Sequence, residues 1–374
     1  MKIALLHDGI FCKGGAERVF LNMIKAFPNS KIFTSIYNPN DSYEEFKNYR
    51  INTSWIQNLI SNENSFKKFF FPLGIFAMRK HDLSEFDIIL VSTTHCAKYI
   101  NPKNNALIIN YCYTPFRLAW SPNSYNIYAN SKGLKKKILK VIINILKKVD
   151  FKYAQKADRY IAMTKETSDR IKKNYLFNKK IEIINPSINI NNYFVSKKIE
   201  DYYLVVSRLE KYKNVDLTIK TFNKLGYKLK IVGSGSEEKK LRKLAGKNIE
   251  FFKNVDQKEL SLLYSKCIAL IFPQHEDYGL TPLEANASGR PVIAYGFGGV
   301  LTTMLPYKKN NENNFTAIFF KNQNIESLID AIKKLSQLNI NSTFIRNNAK
   351  KFDDIIFIKK LQDYVNNEFE ISKN

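Results

Sequence analysis

The run His275-Glu276-Asp277-Tyr278-Gly279-Leu280-Thr281-Pro282-Leu283-Glu284-Ala285 sets two carboxylates, Glu276 and Glu284, on either side of a glycine. It begins where the apolar run 269–272 ends and leads into a helical pattern from about Thr281. Glu276 then stands in the loop and Glu284 on the helix that the loop opens. Two carboxylates offered to one ligand can accept hydrogen bonds from different sugar hydroxyls. The N–H groups of Gly279, Leu280 and Thr281, at a helix N-terminus, remain available to an anion. Earlier in the chain, Arg208 and Lys213 follow the apolar run 202–206. An Arg can grip a phosphate bidentately and a Lys adds a point charge, so the pair suits a diphosphate; a solvated basic loop is the plainer reading. Gly233-Ser234-Gly235 closes the next run, 228–232, and lets the backbone come close to a nucleotide. Gly14-Gly15 stands where a strand's loop meets a helix, where close approach, free N–H groups and the helix dipole attract an anion. A tight turn would use the same residues.

These residues need strands and helices to position them. In the first half, runs 2–7, 31–36, 86–92, 106–112, 159–163 and 181–184 are strand-length, with helical or loop segments between them. After Gly15, the residues Ala16, Val19, Phe20, Met23, Ile24 and Phe27 repeat at helical spacing. After Pro186 the pattern restarts, with strands predicted at 202–206, 228–232, 249–252, 269–272 and 291–295. Helices are predicted at 215–225, 237–245, 257–266 and 281–288. Alternation of this kind predicts an α/β chain of parallel βαβ units in two doubly wound domains. The expected boundaries are 1–190 and 191–355, with a hinge near Pro186-Ser187-Ile188-Asn189. A terminal helix, 356–374, is expected to return to the first domain. Open α/β sheets bind ligands at the carboxyl ends of their strands, so the expectation is a cleft between two facing sheets.

A chain of 374 residues exceeds what one core usually serves, and 44% hydrophobic residues suffice for two. Cys12, Cys96, Cys112 and Cys267 lie far apart without a CxxC pair, which argues against a disulfide framework or a zinc site and for a reducing compartment. No apolar stretch approaches the roughly 18 residues that a membrane span needs. Residues 1–7 read as a first strand rather than a signal peptide. The expectation is a cytoplasmic protein, soluble or bound at a membrane surface. The net charge of +25 suggests an anionic partner, or a Lys- and Asn-rich composition of the kind that A+T-rich coding produces. No zinc finger or RNA-recognition signature accompanies it, so nucleic acid is not an expected partner.

The stretch around Glu276 and Glu284 resembles the E-x7-E motif of the retaining family-4 glycosyltransferases, whose GT-B architecture has two facing Rossmann-like domains. Gly-Gly-Ala-Glu-Arg, Ser207-Arg208-Leu209 with Lys213, Gly233-Ser234-Gly235 and Gly289-Arg290-Pro291-Val292-Ile293-Ala294 follow in the family's order. The resemblance implies that Arg208 and Lys213 hold the diphosphate of a nucleotide sugar, with the Gly15 N–H beside the leaving phosphate. It implies that Glu276 meets the transferred sugar, that Glu284 holds the ribose hydroxyls, and that Gly233 and Phe252 border the base. No DxD-like site appears, in keeping with a family that needs no metal. Transfer with retention would proceed by front-face attack. Thr94-His95-Cys96-Ala97-Lys98 and Tyr111-Cys112-Tyr113-Thr114-Pro115-Phe116-Arg117-Leu118-Ala119-Trp120 are similar to the branch of O-antigen and exopolysaccharide mannosyltransferases. That branch commonly has His where this chain has Tyr113, and His95 is a further candidate cleft residue. The implied reaction moves a hexose, mannose from GDP-mannose or another from a UDP-hexose, to a saccharide or lipid-linked saccharide in surface polysaccharide (lipopolysaccharide) synthesis. An epimerase-like or degenerate relative, or a non-catalytic basic binding protein, are the alternatives.

Two basic–apolar stretches bear on membranes. Phe66-Lys67-Lys68-Phe69-Phe70-Phe71 leads on to Arg79-Lys80, and 132–152 sets lysines around Ile138, Leu139, Ile142, Ile143, Leu146 and Val149. Such a segment can lie on anionic lipid. Equally, 132–152 can be a core helix with a Lys-rich outer face.

Overall fold

The run Ile3–His7 is apolar without polar alternation, which suits a strand covered on both faces, and all five residues are buried in β1. The computed structural model describes residues 1–59, 74–102, 105–124, 126–310 and 313–373, with 126 and 127 described by backbone alone. The basic–aromatic stretch Phe66-Lys67-Lys68-Phe69-Phe70-Phe71 lies outside the described residues. The chain divides into two compact units, Met1–Asn185 with Phe357–Asn374, and Pro186–Ile356.

In the first unit, β1 is joined by β2 (Lys31–Thr34), β3 (Ile51–Thr53), β4 (Ile88–Thr93), β5 (Leu107–Cys112), β6 (Arg159–Ala162) and β7 (Glu182–Ile183). They form a parallel sheet in the order β3-β2-β1-β4-β5-β6-β7. The helices Gly15–Ala26, Gly133–Ala154 and Lys165–Tyr175 follow β1, β5 and β6. The core beside the sheet includes Leu6, Phe33, Ile89, Val91, Tyr99, Tyr160 and Tyr175. The helix Asp354–Lys373 contributes Gln362, which donates to the Ala26 carbonyl at 2.7 Å, and Glu368, which pairs with Arg159.

The second unit holds β8 (Tyr203–Val206), β9 (Leu229–Val232), β10 (Ile249–Phe252), β11 (Leu270–Phe272), β12 (Val292–Tyr295) and β13 (Ala317–Phe320). Its sheet is also parallel, in the order β10-β9-β8-β11-β12-β13. Helices Val215–Leu225, Glu238–Leu244, Gln257–Lys266, Leu280–Ala287 and Ile325–Leu335 alternate with these strands. Phe222, Ile219, Ile231, Ile271, Ile293 and Leu328 are among its core. Both units are therefore Rossmann-like. In each the strand order reverses once, between β1 and β4 and between β8 and β11. A parallel sheet leaves a crevice at the carboxyl ends of its strands where the order reverses, because the flanking connections leave in opposite directions.

Two strands were not legible beforehand. β3 is three residues with Asn52 at its centre, and β13 follows a run of Lys and Asn that reads as loop.

Candidate functional site

In the second unit, the residues singled out from the sequence gather at the reversal between β8 and β11. The loop after β8 interlocks with the loop after β9: Leu209 N donates to the Ser234 carbonyl at 2.8 Å, and Glu237 N to the Leu209 carbonyl at 2.9 Å. Gly233 holds this crossing with a φ of +146°. A Cβ there would lie 1.9 Å from the Ser207 carbonyl oxygen, so no other residue fits. Its N–H donates to the carbonyl of Phe252, the half-buried last residue of β10. Arg208 is carried outward on this loop and donates to the Tyr212 hydroxyl at 2.7 Å. Lys213 closes the short 3-10 turn Lys211–Lys213, is buried, and forms an ion pair with Glu276.

Glu276 stands in the loop after β11, and its backbone is clamped by the loop after β12. Gly299 N donates to the Glu276 carbonyl at 2.8 Å. Gly298 has a φ of +80°, and a Cβ on it would lie 2.3 Å from that same oxygen. Sequence reasoning passed over Gly298 and Gly299. Their one signal was the glycine-rich run Gly296-Phe297-Gly298-Gly299 after the apolar run 291–295. Tyr278 is buried and its hydroxyl donates to the Pro186 carbonyl at 2.7 Å, which fixes the same loop from its other side. Gly279, at φ +86°, is the N-cap of the helix Leu280–Ala287 and brings no capping side chain to it. Leu280 and Thr281 occupy the first turn. Glu284, on that helix, accepts from the Tyr264 hydroxyl at 2.7 Å. Burial, and then the Glu284 carboxylate, push the Tyr264 phenol well up, so it stays a donor. Tyr264 was not among the sequence candidates.

The first unit carries the remaining candidates. Gly14 is the N-cap of Gly15–Ala26, and a Cβ there would lie 2.3 Å from the Glu17 carboxylate, which in turn accepts from the Cys12 thiol at 3.1 Å. Tyr113 follows β5 directly. Its hydroxyl lies 2.9 Å from the Ser92 hydroxyl and donates to the Ala16 carbonyl at 3.0 Å. Ser92 in turn lies 2.9 Å from His7 Nδ1. Tyr113 thus ties the end of β5 to the first turn beside Gly15. Burial pushes its phenol well up, so it is neutral.

The segment after β4 is organised by Asp8. Its carboxylate accepts from Thr94 N at 2.6 Å, Ala97 N at 2.7 Å, Thr93 Oγ1 at 2.8 Å and His95 N at 3.0 Å. Burial raises the Asp8 pKa, but His7, His95 and these N–H groups outweigh it, and the net direction is down. The His95 ring lies 4.0 Å from Phe116 and 5.5 Å from Tyr99, centroid to centroid. Burial lowers its pKa to about 4. At neutral pH it is an uncharged packed ring. Lys98, three residues on, pairs with Asp150 at 2.8 Å. Among the described residues, no group of three His, Cys, Asp or Glu could hold a metal ion.

The arrangement in the second unit can hold an anion beside Arg208, Lys213 and the first turn of Leu280–Ala287. It can accept hydrogen bonds from hydroxyls at Glu276 and Glu284. Comparison with known proteins gives the family and the fold. Residues 13–192 match the family model described as Glycosyltransferase Family 4, and residues 189–352 the model described as Glycosyl transferases group 1. Alpha-1,3/1,6-mannosyltransferase ALG2 of Candida glabrata is 23% identical over 96% of this chain and 90% of its own length. The O-antigen chain mannosyltransferase RfbU of Salmonella typhimurium is 31% identical over 53% of this chain and 59% of its own. The crystal structure of Anabaena Alr3699/HepE in complex with UDP shares the fold with a TM-score of 0.71 at 14% identity, covering 98% of this chain and 100% of that one.

Proposed function

The chain belongs to the family-4 glycosyltransferases, and from that premise we propose that it moves mannose from GDP-mannose, with retention and without a metal, to a saccharide or lipid-linked saccharide acceptor. The observation that carries this reading is the Lys213–Glu276 contact at the reversal between β8 and β11. A cation for phosphate and a carboxylate for hydroxyls stand together where a nucleotide sugar would bend between its diphosphate and its hexose. On donor entry Lys213 turns to the diphosphate beside Arg208, and Glu276 exchanges its partner for sugar hydroxyls. The N–H groups of Gly279, Leu280 and Thr281 face the donor, Glu284 takes the ribose hydroxyls, and Gly233 and Phe252 border the base. The resemblance assigns the Gly15 N–H, at the N-terminus of Gly15–Ala26, to the leaving phosphate. The sugar–phosphate C–O bond breaks, the acceptor oxygen bonds the same face of the anomeric carbon, and its proton passes to the departing phosphate oxygen.

Mannose is supported by the names of both relatives above, and a saccharide acceptor by the O-antigen one. The enzyme then works in the cytoplasm, where nucleotide sugars are made, at the inner face of the cytoplasmic membrane, and contributes to surface polysaccharide. Calorimetry with GDP and UDP in EDTA, followed by kinetics of two variants, tests the reading. Glu276→Ala should lower kcat and Glu284→Ala should raise the donor KM, each by the equivalent of about 1.5–3 kcal/mol for a lost charge-assisted hydrogen bond. Stronger UDP than GDP binding moves the donor to a UDP-hexose. Binding of neither nucleotide, or wild-type kinetics in both variants, removes the site.

A further inference from the structure

We propose that the outer face of the helix Gly133–Ala154 is a docking surface for an anionic lipid bilayer. The helix carries two apolar stripes. One, with Ile143, Leu146 and Tyr153, is buried against the first unit. The other, Leu134, Ile138, Val141, Ile142 and Ile145, is between 42% and 72% exposed. At the roughly 100° per residue of an α-helix, these five positions fall within an arc of about 100°. Single exposed apolar residues need no explanation, but five in one stripe on one helix do.

The charge around the stripe selects its occupant. Lys135, Lys136, Lys137, Lys140, Lys147 and Lys148 are all exposed around it. The helix's single acidic residue, Asp150, is fully buried and cannot offset them. A second copy of the chain seated on this face would bring two sets of lysines together. An anionic headgroup layer neutralises them while the stripe enters the acyl boundary. The exposed stripe runs along the helix from Leu134 to Ile145, so the helix would lie along the surface.

The helix is also anchored for this role. Asp150 accepts from Tyr99 at 2.8 Å, Trp120 at 2.7 Å and Tyr175 at 2.8 Å, and pairs with Lys98. The C-terminal half is thereby fixed to the unit, and the exposed stripe is held rigidly on its outside. The inference rests on the proposed lipid-linked acceptor only for its purpose. Its test uses neither donor nor acceptor, so the two can fail separately.

The test is flotation of the full chain with vesicles of phosphatidylcholine alone, or with phosphatidylglycerol added, at low and high salt. Two triple variants accompany the wild type: Ile138→Gln/Val141→Gln/Ile142→Gln and Lys137→Glu/Lys140→Glu/Lys148→Glu. Because all six positions are exposed, each variant should keep the wild-type melting curve and GDP affinity. The wild type should float with anionic vesicles only, and the lysine variant should partition on the order of a hundredfold less. The apolar variant should bind at low salt but be released by salt that leaves the wild type attached. Equal flotation of all three proteins overturns the proposal. So does a wild type that is dimeric by sedimentation and turns monomeric in the apolar variant with lipid binding unchanged.

Discussion

Two lysine–carboxylate pairs, one in each unit, serve different ends. Lys98 and Asp150 lie at 2.8 Å with side chains 1% and 0% exposed, and three further donors fill the Asp150 carboxylate. Burial alone would lower the Lys98 pKa, yet Asp150 and its neighbours raise it, so the ammonium stays charged. Asp150 is held by four partners at once, and a ligand would have to break this cluster to enter. Lys213 and Glu276 are also in contact, but they stand on loops at the strand ends, with Glu276 22% exposed. There Gly233, Gly298 and Gly299 over-determine the backbone, and the two side chains meet across the ends of two neighbouring strands. The difference lies in where the rigidity resides. In the first pair the side chains are fixed by one another, and in the second the backbone is fixed so that the side chains can change partners.

Truncating each lysine is the most direct way to break that comparison. Lys98→Ala leaves Asp150 buried without its counter-ion, and breaking a buried pair this way costs about 3–5 kcal/mol. Urea unfolding should lose that much stability, enough to leave the first unit marginal. Lys213→Ala leaves Glu276 within reach of water and should cost less than about 1 kcal/mol of stability. It should instead weaken nucleotide binding by roughly tenfold or more, the loss expected for a charge-assisted hydrogen bond. Equal stability losses would mean that Lys213–Glu276 is a structural pair too.

His95 sharpens the same contrast, since it sits three residues from Lys98 and belongs to the fixed environment. Its folded-state pKa of about 4 lies below the ordinary 6.5 because burial disfavours the imidazolium. The unfolded chain therefore binds the proton more readily, and stability from this group is full above about pH 6.5 and falls as pH drops toward 4. The whole gap is worth about 3 kcal/mol. Burial lowers His7 in the same direction, so part of the slope is its own. Urea midpoints measured across this range should fall steeply in acid, and His95→Phe, which keeps an aromatic ring, should flatten much of that fall. An unchanged slope would mean that His95 is solvated and open to ligand.

How much of this was legible beforehand depends on whether a feature is local. The strand Ile3–His7, the helix Val215–Leu225, and the loop that carries Glu276 into the helix bearing Glu284 are local patterns, and the sequence displays them. The Lys213–Glu276 contact is not local, because only the strand order brings β8 and β11 side by side. Gly298 and Gly299 act on Glu276 through backbone contacts from another loop, and Tyr264 reaches Glu284 from another helix, which no spacing reveals. His95 read as a cleft candidate from its motif, but burial against Phe116 and Tyr99 is decided by tertiary packing. In 132–152 the apolar residues looked like one set. The structure divides them, burying Ile143 and Leu146 and leaving Ile138 and Ile142 outside. Periodicity shows that a helix is amphipathic without saying which stripe the rest of the chain covers.

The smallest expected effect is at Tyr113, which sits between the two regimes. Like Asp150 it is buried and satisfied, through Ser92 and the Ala16 carbonyl. Unlike Asp150 it holds a glycine-rich turn, through the Ala16 carbonyl, which the proposed function gives to the leaving phosphate. Tyr113→Phe removes the hydroxyl and keeps the ring against Tyr111, 5.2 Å away. The lost hydrogen bonds should cost about 1 kcal/mol of stability, and Ser92 retains His7 as a partner. The phenol is neutral across the working range, so no rate step in the variant or the wild type should follow its ionisation. If the hydroxyl only fixes the fold, every donor should be affected alike and in proportion to the lost stability. If it fixes the turn beside the transferred sugar, the variant should keep its GDP affinity while the ratio of transfer rates from GDP-mannose and UDP-glucose changes several-fold. Tyr113→His adds a third point, since it restores the side chain common in the branch this sequence resembles. A wild type that transfers from no nucleotide sugar while Tyr113→His does would make Tyr113 the lesion of an inactive relative. An active wild type whose donor ratio shifts in both variants would place Tyr113 in donor selection.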